Sequence, residues 1–234
     1  LEDNCESMGA TLHGKQAGTF GDIGTFSTFF SHHISTMEGG FCVTDSKELY
    51  EHLTSLRSHG WVRELGPINS VYSPTGSFQD SFLFALPGYN LRPIEFEGAV
   101  GQAQLLKLPS FIDSRRDNAT KFVESIGEIP GIRIQREHGR SSWFGFSMIL
   151  ESSELGLRDR VASALRAIGV ETRPIVSGNI LRHPVASKLN MTAGDQPLEN
   201  ADKVHDSGFF IGNHHFSIDS SLKMIEQCIR GELI

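Results

Sequence analysis

A chain of 234 residues can bury a sizeable core as one large α/β domain or as two small ones. With 38% hydrophobic and 21% charged residues and no uninterrupted apolar run of bilayer length, its composition is neither that of a disordered chain nor that of a membrane span. A formal net charge of −7 argues against a nucleic-acid partner, and Cys5, Cys42 and Cys228 lie too far apart to frame a zinc or iron–sulfur site, which points to a reducing, cytoplasmic setting.

In chain order, Leu1-Glu2-Asp3-Asn4 reads as the carboxyl end of a strand already in progress, as in a chain that is truncated, cleaved or incompletely ordered. Residues 21–30 mix β-branched and aromatic side chains between glycines as a short buried strand does, and Gly39-Gly40 separates them from a second strand, Phe41-Cys42-Val43-Thr44. Asp45 with Glu48 forms a capping-box pattern, and Leu49, Leu53 and Leu56 keep helical spacing up to Gly60, so a helix is predicted over about residues 46–59. From Arg63 to Pro87 no period is sustained; loops of that length usually carry function. Pro93 suits the first turn of a helix that continues through Ala99, Ala103 and Leu106 towards Pro109, and Phe111, Phe122 and Val123 mark another that ends near Gly127. Beyond Gly131 come two strands, Ile132-x-Ile134 and Trp143 to Leu150, then a helix from Arg158 to Ile168 stopped by Gly169. A strand over Val170-Glu171-Thr172-Arg173 and an amphipathic helix from Leu222 to Ile229 complete an α/β pattern, with two domains, 1–115 and 116–234, that meet in the helical region of residues 109–127.

Four constellations could carry chemistry. Asp3 and Glu6 are two acids just past the opening strand, readable as a solvated turn or as ligand contacts. Ser27 lies among apolar residues, where a hydroxyl must find a partner in backbone or ligand. Ser31 to Gly40 sets the tandem imidazoles of His32 and His33 beside hydroxyls and a Gly-Gly pair that admits close backbone approach. Gly88-Tyr89-Asn90-Leu91-Arg92-Pro93 presents an amide and a guanidinium just before a helix start, an arrangement suited to an anion. No metal is expected: His32-His33 and His214-His215 are adjacent pairs, which rarely point at one ion, and no His-x-x-x-His frame accompanies them.

Taken in order, Glu2-Asp3-x-x-Glu6, Gly21-Asp22-Ile23-Gly24-Thr25-Phe26-Ser27, Glu38-Gly39-Gly40 and the Gly88–Pro93 segment resemble the DegT/DnrJ/EryC1/StrS family of nucleotide-sugar aminotransferases over nearly the whole chain. The resemblance implies an aspartate-aminotransferase-like fold, fold type I of the pyridoxal phosphate enzymes. Residues 1–115 would be the carboxyl-terminal portion of its large cofactor-binding domain, and 116–234 its small α/β domain. It also implies pyridoxal 5'-phosphate or pyridoxamine 5'-phosphate as cofactor. Asp3 would bond the pyridine nitrogen, Glu6 would lie near the ring hydroxyl, and Ser27 would contact the phosphate. Asn90 and Arg92 would reach the phosphate from a second subunit, making a homodimer with shared sites.

The family pattern is Lys-x-x-x-x-x-Glu-Gly-Gly, and six residues before Glu38 this chain has His32. An imidazole forms no stable Schiff base, so the cofactor would be held non-covalently and reversible transamination is disfavoured. The same replacement marks the 3-dehydratases of the family, which the stretches Phe30 to Gly40, Ser58-His59-Gly60-Trp61 and Trp143-Phe144-Gly145-Phe146 resemble. The implied activity is loss of the C3 hydroxyl from a nucleotide-linked 4-keto-6-deoxyhexose, GDP-4-keto-6-deoxy-D-mannose first among them, in deoxysugar and O-antigen biosynthesis, with L-glutamate as amino donor. His32 would serve as base and then acid, since imidazole changes charge near neutral pH. Arg173 is a candidate clamp for a carboxylate or pyrophosphate, or else an ordinary surface arginine. A cluster-dependent variant of this chemistry is excluded, because residues 43–227 contain no cysteine. Two alternatives stay open: an aminotransferase that uses a lysine outside the motif, and a degenerate, non-catalytic sugar-binding homologue.

Overall fold

The computed structural model describes residues 1–194 and 197–233. By their internal contacts these fall into two units, Leu1–Pro109 with Gly139–Ser141, and Ser110–His138 with Ser142–Ile234.

In the first unit, the alternation of small, β-branched and aromatic residues around Gly24 yields a three-stranded sheet of β1 (Glu2–Asp3), β4 (Gly24–Ser27) and β5 (Gly40–Val43), with β4 in the middle. β1 runs parallel to β4, pairing Asp3 with Thr25, and β5 runs antiparallel, pairing Ser27 with Gly40. Phe26 and Phe41 stack across that pair with ring centroids 5.0 Å apart. Between β1 and β4 lies a hairpin absent from the predicted elements, β2 (Thr11–Leu12) with β3 (Lys15–Gln16), turned by His13 and Gly14 at φ 51° and 78°. A two-residue turn with positive φ at both positions matches the twist of the strands it joins.

Helix α1 (Lys47–Leu56) is capped by Ser46, whose Oγ accepts from Leu49 N at 3.3 Å. The cap is therefore one residue later than the Asp45–Glu48 pattern indicates, because Ser46 is the extended residue that faces the free N–H groups. The long segment after it is irregular as expected, apart from a 3₁₀ turn over Phe78–Phe82. Helix α2 (Glu95–Leu105) begins two residues beyond Pro93, and the Glu97 carboxylate accepts from Ile94 N at 3.2 Å.

Helix α3 (Leu108–Ser125) leads into the second unit, which holds a four-stranded antiparallel sheet ordered β6 (Ile132–Ile134), β7 (Gly145–Leu150), β9 (Gly208–Gly212), β8 (Thr172–Arg173). Strand β9, central in that sheet, is absent from the predicted elements. β7 starts at Gly145 rather than Trp143 because Trp143 is left-handed at φ 46°. β8 is shortened to two residues because Val170 N bonds back to Leu165 O, closing helix α4 (Leu157–Ala167). Short helices α5 (Pro184–Lys188) and α6 (Glu199–Ser207) precede β9, and α7 (Asp219–Leu233) ends the unit. The apolar stripes of α3, α4 and α7 meet Phe146, Met148, Leu150, Phe209 and Ile211 of the sheet in one continuous core. Phe122 and Phe146 stack there at 4.1 Å, and burying each such side chain contributes on the order of 1.5–3 kcal/mol.

Candidate active site

Asp3 and Ser27 lie towards the carboxyl ends of the parallel neighbours β1 and β4, the end of an α/β sheet where ligands collect. Glu2, one residue earlier, anchors the approach: its carboxylate accepts from the backbone N–H groups of Gly18 at 2.8 Å and Phe20 at 2.6 Å, and from that of Gly21. Those bonds, the one from Gly21 first, lower its pKa. Asp3 Oδ1 accepts from Cys5 N at 3.1 Å, and the Cys5 side chain and backbone, with a smaller contribution from Thr25, hold its carboxyl below the usual carboxylate range. The Cys5 thiol is pushed the other way, up to about 11, by burial, then by its hydrogen bond to Asp3 and by the Asp3 charge. At neutral pH the pair is thus an ionised carboxylate beside an un-ionised thiol, a setting that favours a cationic group at Asp3. Glu6 follows, itself exposed, in the turn closed by Ser7 N donating to Asn4 O at 3.0 Å.

Ser27 ends β4. Its Oγ accepts from Phe29 N at 3.2 Å, which leaves the hydroxyl proton to reach another acceptor. The chain then leaves the sheet and returns at Gly40, and the tandem imidazoles lie on this excursion. His33 is turned inwards and buried, whereas His32 is half-buried and edge-on to the Phe29 ring at 6.1 Å. Of the two, His32 is therefore the one open to a ligand.

Asn90 and Arg92 stand in a second cluster of the same unit. Asn90 bridges to Ser58, and His59 N donates to Tyr89 O at 2.7 Å. A side chain at Gly88 would fall on the His59–Gly60 backbone, so glycine is required where the two segments touch. The indole of Trp61 packs against His59, Phe82 and Phe84 with centroids 4.9–5.5 Å apart, and the Arg63 and Arg92 guanidinium groups each lie 5.8 Å from its ring. Reasoning from spacing missed this aromatic and cationic cluster; the Gly60-Trp61 and Phe82-x-Phe84 pairs were its only local signal.

In the second unit, Arg173 lies on the edge strand β8 with its guanidinium 5.0 Å from the Phe210 ring centroid. His214 and His215 do not converge either: His214 stacks on Phe216 at 4.9 Å and His215 on Phe111 at 4.1 Å. Burial, then the Arg115 charge, lowers the His214 pKa, and burial alone brings Arg115 itself down to about 10. Among the described residues no group of three or more His, Cys, Asp or Glu side chains could hold a metal ion, and no helix is long and apolar enough to cross a membrane.

Residues 1–229 match the DegT/DnrJ/EryC1/StrS aminotransferase family. The chain is 49% identical over 225 residues to the GDP-4-keto-6-deoxy-D-mannose 3-dehydratase of Yersinia pseudotuberculosis, an alignment covering 95% of this chain and 57% of that protein. To the enzyme of the same name from Escherichia coli O55:H7 it is 44% identical over 232 residues, 98% of this chain and 60% of the relative. A crystal structure of GDP-4-keto-6-deoxymannose-3-dehydratase with a trapped PLP-glutamate geminal diamine superposes with a TM-score of 0.91 at 44% identity, covering 97% of this chain and 59% of that one. The chain thus spans 57–60% of the length of these curated relatives. The fold over that span is the aspartate-aminotransferase-like fold type I.

Proposed function

Because the chain belongs to the DegT/DnrJ/EryC1/StrS aminotransferase family, we propose that the protein removes the C3 hydroxyl of GDP-4-keto-6-deoxy-D-mannose, with pyridoxal or pyridoxamine phosphate as cofactor and L-glutamate as amino donor. The observation that carries this reading is the half-buried His32 on the excursion between β4 and β5, where the family pattern has lysine, in a chain whose relatives are named 3-dehydratases. The residues present suit the cofactor: Asp3 is a carboxylate kept ionised by its Cys5 contacts, as a protonated ring nitrogen requires, and Ser27 has a hydroxyl proton for a phosphate oxygen.

When bound, the cofactor supplies the electron sink that lets a hydroxyl leave from the carbon next to the ketone. Asp3 would hold the proton on the ring nitrogen, Glu6 would contact the ring hydroxyl, and Ser27 would donate to the phosphate. His32 would take on its imidazole the proton released at the carbon attached to the cofactor ring and return it to the departing C3 oxygen, which would leave as water, so one side chain would act as base and then as acid. Asn90 and Arg92 serve the phosphate of a second copy of the chain; the exposed apolar side chains of Tyr89, Leu91, Ile94 and Phe96 around them support a homodimer that covers this face. Arg173 clamps a carboxylate or pyrophosphate. Residues 1–115 form the cofactor-binding part and 116–234 the small domain. Three free thiols fit the reducing cytoplasm.

The test is to incubate the protein with pyridoxamine phosphate, glutamate and the GDP-linked ketosugar, and to follow ammonia and the product mass. A 3-deoxy ketosugar formed with one ammonia per turnover is expected, together with loss of at least about 99% of the rate in His32→Asn. A product that keeps the C3 oxygen and gains an amino group would replace this reading with transamination, and failure to bind cofactor would replace it with a non-catalytic role.

A further inference from the structure

We propose that Thr28 and Thr36 form a hydroxyl clasp that holds His32 in place, which makes them positioning residues for the reaction proposed above, on whose reading this inference rests. The excursion that carries His32 is closed at its neck. Thr28 N donates to Gly39 O at 3.0 Å, Thr36 N donates to Thr28 O at 2.8 Å, and the two threonine hydroxyl oxygens lie 2.6 Å apart. Both threonines are only 6% exposed, so these bonds face little competition from water.

The direction of the clasp follows from its partners. Thr36 Oγ1 lies 2.6 Å from Glu38 O, and a carbonyl can only accept. A hydroxyl has one proton, so that of Thr36 goes to Glu38 O, and the proton between the two hydroxyls must come from Thr28. Thr28 thus donates to Thr36, and Thr36 donates to the backbone two residues on. Gly39 fits the same neck: its φ is 121°, and a Cβ there would lie 3.1 Å from each threonine hydroxyl.

His32 is four residues from each threonine, at the middle of the closed segment, and its N–H donates to Phe29 O at 2.9 Å, inside that segment. His33 and Ile34 are buried, and Ser35 N reaches Gln104 Oε1 of α2 at 3.5 Å. The inner half of the loop is therefore set by packing, while the lead-in from β4 to His32 is set by the clasp. A proton-transferring imidazole has to be placed to a fraction of an ångström, and a misplacement of about 1 Å can cost on the order of a hundredfold in rate.

The wiring makes the two threonines unequal. Thr36→Val removes the acceptor of Thr28 and the donor to Glu38 O together, whereas Thr28→Val removes one donor only. Expected results are a kcat about 10–100-fold lower in Thr36→Val, a smaller loss in Thr28→Val, KM and cofactor affinity within about twofold of wild type in both, and recovery to within about threefold in Thr36→Ser. A second readout needs no turnover: in protein labelled with ¹⁵N-histidine, the ring signal that His32→Asn deletes should shift or double in Thr36→Val, while the His33 signal stays put. An unchanged kcat with an unchanged His32 signal overturns the clasp. So does a loss of kcat in step with cofactor affinity and thermal stability that Thr36→Ser fails to rescue, since that marks a purely structural role. Retained turnover in His32→Asn would instead remove the reaction reading, and the His32 ring signal in Thr36→Val then decides the clasp alone.

Discussion

Among the described residues, the second unit buries Phe122, Phe146, Met148, Leu165, Phe209, Ile225 and Ile229 in one apolar cluster, whereas the first buries only Met8, Ile34 and Val62 among its hydrophobic side chains. What the first unit buries in their place is polar: Asn4, Thr28, His33, Thr36, Glu51, Thr54, Ser55 and Ser58. Many of its large apolar groups, Phe30, Phe78, Phe82, Tyr89, Leu91 and Phe96 among them, face outwards. The difference separates two ways of holding a chain. Apolar burial is non-directional and tolerates sliding, so it suits a scaffold; hydrogen bonds fix distance and angle, so they suit the segments that present Asp3, Ser27 and His32. The cost is that each polar bond depends on a partner in the right protonation state.

The largest test of the contrast is core truncation. Phe146→Ala should destabilise the second unit by about 3–5 kcal/mol, read as a shift in urea midpoint, while Met8→Ala in the first should cost about 2 kcal/mol, the low end for such a change. Equal losses would mean that the first unit also rests on apolar packing.

Acid should separate the units next. Glu2, Asp3, Glu51 and Asp80, all in the first unit, have carboxyl groups held below their usual range; Glu51 accepts from Ser70 N and Ser70 Oγ, both at 2.8 Å, and Asp80 from the N–H groups of Thr75, Gly76 and Ser77. A carboxyl whose folded pKa is depressed stabilises the fold above its unfolded pKa and loses that contribution as pH falls through the folded value. In the second unit only Asp219, beside Lys121, is shifted in this way among the described residues. Hydrogen exchange should therefore show the first unit opening before the second as pH drops below about 4. Simultaneous opening would break the comparison.

The smallest effect concerns backbone strain beside the site. Met37 is exposed and sits at φ 79°, a left-handed conformation that glycine adopts without penalty. Met37→Gly should raise stability by about 0.5 kcal/mol in thermal melts, the relief of strain exceeding the added freedom of the unfolded chain. A loss of stability would show that the exposed methionine side chain contributes more than the strain takes away.

Helices were the most legible part of the chain, because their period is local. Leu49, Leu53 and Leu56 of α1 and Val161 and Leu165 of α4 repeat within one element and need no partner to be recognised. Strand β9 was not legible: Gly208-Phe209-Phe210-Ile211-Gly212 directly follows the charged helix α6 and is too short for a period, and it becomes a strand because β7 and β8 pair with it on either side. The site divides in the same way. The types and order of Asp3, Ser27, His32, Asn90 and Arg92 are visible in the sequence and are enough to suggest the chemistry.

Their arrangement is not visible there. That Asp3 neighbours the strand of Ser27 depends on the parallel pairing of Asp3 with Thr25, a contact 22 positions apart in the chain. Which of His32 and His33 faces outwards is beyond any period, since an irregular loop has none, and it shows only in the folded loop, where His33 and Ile34 are buried. Arg173, readable as a clamp or as a surface residue, lies over Phe210 because strand pairing sets the two side by side. Sequence by itself determined which groups are present and which helices they flank, because those follow from local chemistry and short periods. Tertiary structure alone decided which groups meet and which face the solvent, because both depend on partners distant in the chain.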